Sequence, residues 1–109
     1  MMTAGKTNDH RLDKWLWHAR FYKTRSLAAA AINGGKVQLN ARRIKPAHAV
    51  RIGDRMSVSL QGIAAEFEVL GLPRRRGPAA EAQAQYLEIP ASAERRAKLR
   101  EQQRLAQAS

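Results

Sequence analysis

The side chains of this chain that could do chemistry are mostly cations. Lys and Arg number 20 against nine Asp and Glu, a formal net charge of +11 over 109 residues. Twelve of them fall in three groups. Arg11, Lys14, Arg20, Lys23 and Arg25 come first, then Lys36, Arg42, Arg43 and Lys45, then the run Arg74-Arg75-Arg76. A field of this sign attracts polyanions and speeds their association. The guanidinium adds geometry, because its planar fork matches phosphate oxygens in pairs. The bland alternative is a solvated basic surface. An anionic membrane is the other competitor, but it calls for a basic helix with large apolar residues on one face. The long basic segment here, near the C-terminus, offers mostly Ala on that face.

Other chemistries find little support. There is no Cys, so neither a disulfide nor a thiolate metal site can form. His10, His18 and His48 have no metal-ligand spacing and no carboxylate pair beside them. Gly34-Gly35 follows a helical pattern rather than a strand, which is the wrong context for a phosphate loop. No Ser, His and Asp grouping carries a nucleophile signature. Asp13 lies in a basic first turn and reads as a helix-dipole or salt-bridge element. The expectation is a non-enzymatic protein with no cofactor and no metal. No apolar run approaches the roughly 20 residues of a membrane span. The first residues also lack the apolar segment of a secretory signal, so a soluble, cytoplasmic protein is expected.

The cations must be positioned by short elements. Leu12, Trp15, Leu16 and Ala19 recur at helical spacing and predict a helix over about 12–19, capped by Asn8 or Asp9. Arg11, Lys14 and His18 fall on its other face. Trp17 points away from the apolar stripe, either onto later strands or out as a stacking platform for a base. Thr24 caps a second helix through Ile32, ended by Gly34-Gly35. Arg25 and Ser26 sit in its first turn, among free N–H groups that favour a phosphate. Residues 36–39 read as a strand returned by 42–44 through an Asn40-Ala41 turn, and 50–52 as another short strand. Residues 56–60 and 63–70 form a hairpin about Gln61-Gly62. Residues 73–78 are a proline-bounded cationic loop. A short helix follows over 79–86, then an extended Leu87-Glu88-Ile89 stopped by Pro90. Ser92 then caps a last helix to about Ala106.

From Arg11 to Asp54 the sequence resembles the RNA-binding domain named after small-subunit ribosomal protein four, also called the alpha-L RNA-binding motif. The matching residues are Arg11-Leu12-Asp13 with Leu16, Thr24-Arg25-Ser26 with Ala28, Ile32, Gly35, Val37, Asn40, Lys45-Pro46 and Gly53-Asp54. The string Trp15-Leu16-Trp17 with Ala19 to Arg25 is similar to the ribosome-associated heat-shock proteins built on this domain. Ala41 stands where that family commonly has Gly, and relatives often carry a further charged tail beyond the last helix.

The resemblance implies an α+β fold: two short helices packed on a small, mainly antiparallel sheet, with a C-terminal helix. The expected division is a disordered stretch at 1–8, an RNA-binding domain with its strand extension at 9–72, and an Arg-rich loop with a helical extension at 73–109. The implied partners are ribosomal RNA of the large subunit and peptidyl-tRNA after aborted translation, with no membrane partner and a monomeric chain. The implied contacts are Arg11, Lys14, Arg20, Lys23, Arg25, Ser26, Lys36, Arg42, Arg43 and Lys45, with Arg74, Arg75 and Arg76 as a second contact. Two rivals stay open. One is a general binder of RNA or DNA, and the other is the RNA-binding subunit of a separate RNA-modifying enzyme.

Overall fold

A computed structural model describes residues 10–108. The elements are α1 (Leu12–His18), α2 (Arg25–Asn33), β1 (Val37–Leu39), β2 (Arg55–Leu60), β3 (Ile63–Val69), α3 (Ala79–Gln83), β4 (Tyr86–Glu88) and α4 (Pro90–Ala108). The fold is α+β, as the resemblance implies. The four strands form one antiparallel sheet in the order β1-β2-β3-β4.

Alternation in β2 and β3 aims Met56, Val58, Ile63, Ala65, Phe67 and Val69 at one face. That face receives Leu12, Trp15 and Leu16 from α1 and Ala28, Ala31 and Ile32 from α2. The alanines of α2 present little side-chain bulk, which suits its packing against α1. Trp15, Phe21, Phe67 and Tyr86 form a ring cluster with centroids 4.7–6.3 Å apart, and the Trp15 Nε1–H donates to the Gly71 carbonyl at 2.9 Å. Aromatic edges and faces in such arrangements add to simple area burial. Among the described residues, no helix is long and apolar enough to cross a membrane.

The start of α1 differs from expectation. Asn8 and Asp9 lie outside the described residues, and the N-cap is Arg11, whose side chain makes no capping bond. The orphan N–H groups of the first turn are met from elsewhere. Leu12 N–H donates to the His48 carbonyl at 2.9 Å and Asp13 N–H to the Pro46 carbonyl at 3.1 Å. Lys14 N–H donates to the Asp13 carboxylate at 2.7 Å. A helix end satisfied this way needs no capping side chain.

That task decides the path of residues 42–50. They do not form the expected strands at 42–44 and 50–52. Arg42 makes a single bridge to Leu39, and Ala49 a single bridge to Arg11. The ladder partner of β1 is β2, with Val37 opposite Val58. Asn40 and Ala41 both have positive φ, +51° and +66°. This is the signature of a tight type I′ turn, here formed with Ala in the position that favours Gly.

At α2 the expectation holds. Thr24 accepts the Leu27 N–H at 3.0 Å. Gly34 is the C-cap, and Gly35 follows in the left-handed region at φ +79°.

At the other end, the extended segment stops before Pro90, as expected, and Pro90 itself begins α4. Its fixed φ and missing N–H suit the first helical position. Ser92 therefore lies inside the helix and docks it. Its hydroxyl accepts the Glu66 N–H at 2.8 Å and donates to Glu88 at 2.9 Å. Leu87 and Glu88, with Tyr86, make the edge strand β4. The first turns of α4 are tied down by Ser92, Arg95 and Arg96, and Leu99 and Leu105 are exposed.

Candidate nucleic-acid interface

The geometry begins at Asp13. Its carboxylate is almost fully buried at the N-terminal turn of α1. Arg11 reaches it through two bonds, Nε to Oδ1 at 3.1 Å and Nη2 to Oδ2 at 3.0 Å. Arg25, from the first turn of α2, approaches the same Oδ2 with its Nε at 3.3 Å. One anion thus holds cations from two helices side by side. Both guanidinium side chains stay open to solvent, 36% and 43% exposed. Their remaining N–H donors are free to meet an external anion.

Burial by itself pushes the Asp13 carboxyl up. The Arg11 hydrogen bonds, the Lys14 N–H and the charges of Arg25 and Arg11 outweigh it, so the group sits below the usual carboxylate range. The same contact raises Arg11 further above its already high value. Charged partners of this kind form shorter, stronger bonds than neutral ones.

Beside this pair lies the N-terminus of α2. Among the described residues, the N–H groups of Arg25 and Ser26 have no hydrogen-bond partner. Ser26, Lys23 and Lys45 are exposed and Lys14 is half-buried. Lys45 adjoins Pro46, whose carbonyl meets the N–H of Asp13, so the chain path brings Lys45 to the same end of α1.

The structure separates the remaining candidates. Arg20 lies past the far end of α1, roughly 10 Å along the helix at 1.5 Å per residue. It has positive φ, +67°, and its Nε donates to the Gly77 carbonyl at 2.7 Å. His18 Nδ1 lies 3.2 Å from the Pro73 carbonyl, so the proton belongs on Nδ1. Together these two residues pin the 73–77 loop against α1. In that loop Arg74 and Arg75 are exposed, and Arg75 pairs with Glu81 at 3.2 Å. Arg76 is half-buried, and its Nη1 has no hydrogen-bond partner among the described residues. A notch of about 350 Å³ opens between His18, Arg74, Arg75, Glu81 and Gln85.

Arg43 has a local task. Its Nη2 donates to the Asn33 carbonyl at 2.7 Å, placing a cation on the C-terminal end of α2. Lys36 and Arg42 are exposed. Trp17 is half-buried, lies outside the core, and has the His18 ring 5.1 Å away.

Two features escaped sequence reading. The sharing of Asp13 by Arg11 and Arg25 was invisible because it joins positions 12 residues apart on different helices. The capping of α1 by the Pro46 and His48 carbonyls involves backbone only and leaves no residue-type signal. Among the described residues, no group of three or more His, Asp or Glu could hold a metal ion.

Comparison with known proteins bears on the same region. The family model described as S4 domain matches residues 10–56. The heat shock protein 15 homolog of Aeromonas salmonicida is 46% identical over 101 residues, covering 93% of this chain and 76% of that protein. Heat shock protein 15 of Escherichia coli (strain K12) is 43% identical over 89 residues, covering 82% of this chain and 67% of that protein. The solved structure of Vibrio cholerae heat shock protein 15 superposes with a TM-score of 0.84 at 40% identity, covering 87% of this chain and 96% of that one. That relative is trimeric, which does not fit the expectation of a monomer.

Proposed function

Since the chain belongs to the heat shock protein 15 family, we propose that it is a ribosome-associated, RNA-binding heat-shock protein that acts without catalysis. In finer detail, it binds the large ribosomal subunit that still carries a nascent chain on transfer RNA after aborted translation. There, in the cytoplasm, it assists rescue of that subunit. The observation that carries this reading is the Arg11–Asp13–Arg25 arrangement beside the open N-terminus of α2, on a chain of charge +11. Two forked cations held in register suit the phosphates of folded RNA, where shape and backbone contacts dominate over base-edge reading. Lys14, Lys23, Ser26 and Lys45 extend this contact. Lys36, Arg42 and Arg43 continue it past α2, and Arg20 with Arg74, Arg75 and Arg76 forms a second contact at the far end of α1.

The test is sedimentation through a sucrose gradient after heat shock. The expected result is co-sedimentation with free large subunits, enriched when they retain peptidyl-tRNA. An even spread over all RNA fractions would refute the ribosomal reading and leave a general nucleic-acid binder. Arg25→Gln is the matched control. It leaves Asp13 with Arg11 and the Lys14 N–H, so the fold stands while one proposed phosphate contact is lost. Glu at position 11 would be a poor choice, because it would set a second carboxylate against a buried one.

A further inference from the structure

A groove unconnected with the Arg11–Asp13–Arg25 arrangement runs between the loop after α1, the β2–β3 turn and α4. Tyr22 lines one wall, Ser59 and Gln61 line the floor and turn, and Arg96 and Arg100 line the wall from α4. Its volume is about 340 Å³, at the lower end of what small-ligand sites enclose. The residue types are those that hold an unpaired nucleotide. An aromatic ring offers a face on which any base can stack, and a cation beside it serves the backbone.

The wall from α4 is built rather than incidental. Arg96 is fixed by two bonds to Glu88, each 2.7 Å, and both side chains are largely buried. That pair spends the charge of Arg96 on docking the helix. Arg100, one turn further along, is exposed and makes no short salt bridge among the described residues, although its charge also acts on Glu88. Its charge is available to a phosphate. Tyr22 packs on the core with one part of its ring and remains half-buried, and among the described residues its hydroxyl has no hydrogen-bond partner. Gln61 is exposed at the turn with φ +53°. The Ser59 hydroxyl and the Gln61 amide each donate and accept, so they can meet the edge of a base. Tyr22 also lies three residues before Arg25 in sequence, so one strand can pass from the Arg11–Arg25 contact towards this groove.

We propose that this groove takes one unpaired nucleotide of a bound RNA, its base on Tyr22 and its phosphate on Arg100. The inference rests on the RNA-binding reading above and adds a preference for RNA with a single-stranded extension. Three other cavities of similar size carry less, and one of them, along α4 at Arg95 and Lys98, has no aromatic wall. The notch at Arg74 and Arg75 belongs to the contact already described, and the one at Asn40 and Arg55 has no aromatic wall.

The full chain is titrated with two labelled RNAs, a closed stem-loop and the same stem-loop with a five-nucleotide 3′ extension. The expected result is an affinity about tenfold higher for the extended RNA, the scale of one stacked base. Tyr22→Leu should abolish that preference and leave stem-loop affinity in place, and Tyr22→Phe should keep it. Arg100→Gln, on an exposed helix surface that folding does not need, should reduce it. Arg25→Gln should weaken both RNAs alike. If stem-loop and extended RNA bind equally well to the wild type, the groove assignment is wrong while the RNA reading stands. Loss of both affinities in parallel in Tyr22→Leu, with Tyr22→Phe no better, also overturns the groove. Failure of the wild type to bind either RNA overturns both.

Discussion

Replacing Asp13 with Asn tests the arrangement at its centre. The substitution keeps the shape and retains an oxygen for the Lys14 N–H, but removes the charge that Arg11 and Arg25 share. A charge-assisted hydrogen bond contributes on the order of 1.5–3 kcal/mol when well formed. Both arginines are more than a third exposed and can turn to water, so the loss should be discounted to about 1–2 kcal/mol. For a chain of this size that lowers Tm by roughly 5–10 °C. The sign of the pH dependence follows from the depressed Asp13 value. A folded-state value below the unfolded one, about 3.9, gives stability that is fully present above the unfolded value. That contribution is lost as pH falls through the folded value. Thermal unfolding by circular dichroism should therefore show a gap between wild type and Asp13→Asn at pH 7. The gap should narrow steadily below pH 4, down to the lowest pH at which both still melt cooperatively. Equal Tm values at pH 7, or a gap that persists undiminished in acid, would show that the shared carboxylate does not organise this end of the domain.

Two further outcomes are expected. Ala41→Gly should raise stability by about 0.5–1 kcal/mol, because Ala41 is held at φ +66° where a Cβ is unfavourable; an unchanged denaturant midpoint would mean the turn is not strained. Glu88→Gln should loosen the first turns of α4. The Arg96 hydrogen bonds lead in holding the Glu88 carboxyl below its ordinary value against the opposing effect of burial, so docking is fully present at neutral pH and is lost as pH falls through the folded value. Hydrogen exchange of the amides at 90–100 is the measurement, and protection equal to wild type at pH 7 would contradict the docking role.

Much of the fold was legible because its causes are local. The stripe Leu12, Trp15, Leu16 and Ala19, the Thr24 cap, the Gly34-Gly35 stop and the hairpin about Gln61-Gly62 all lie within short windows of sequence. The strands expected at 42–44 and 50–52 failed for a non-local reason. Between them the Pro46 and His48 carbonyls are taken by the bare N-terminus of α1, while Arg42 pairs back to Leu39 and Arg51 closes a turn with Asp54, so the segment follows that helix instead of a sheet. The start of the last helix was misplaced: Pro90 ends the extended segment as expected but also opens α4, and the docking of Ser92 between β3 and β4 puts that residue inside the helix rather than at its cap.

The sequence by itself determined the charge, the absence of cysteine chemistry, the apolar periodicities and the order of the motif residues, since each depends on residue type and short spacing. It could name Arg11 and Arg25 as cations on two first turns, but could not say that they share one carboxylate. Packing α1 against α2 decided that, by burying Asp13 where only paired charge is tolerable. Contacts elsewhere in the fold tied Arg20 to the Gly77 carbonyl and turned Arg43 onto the end of α2. Docking of α4 on β3 and β4 brought Tyr22 and Arg100, far apart in sequence, to the walls of one groove. A cation's availability depends on the anions within a few ångströms of it, and only the tertiary structure places those.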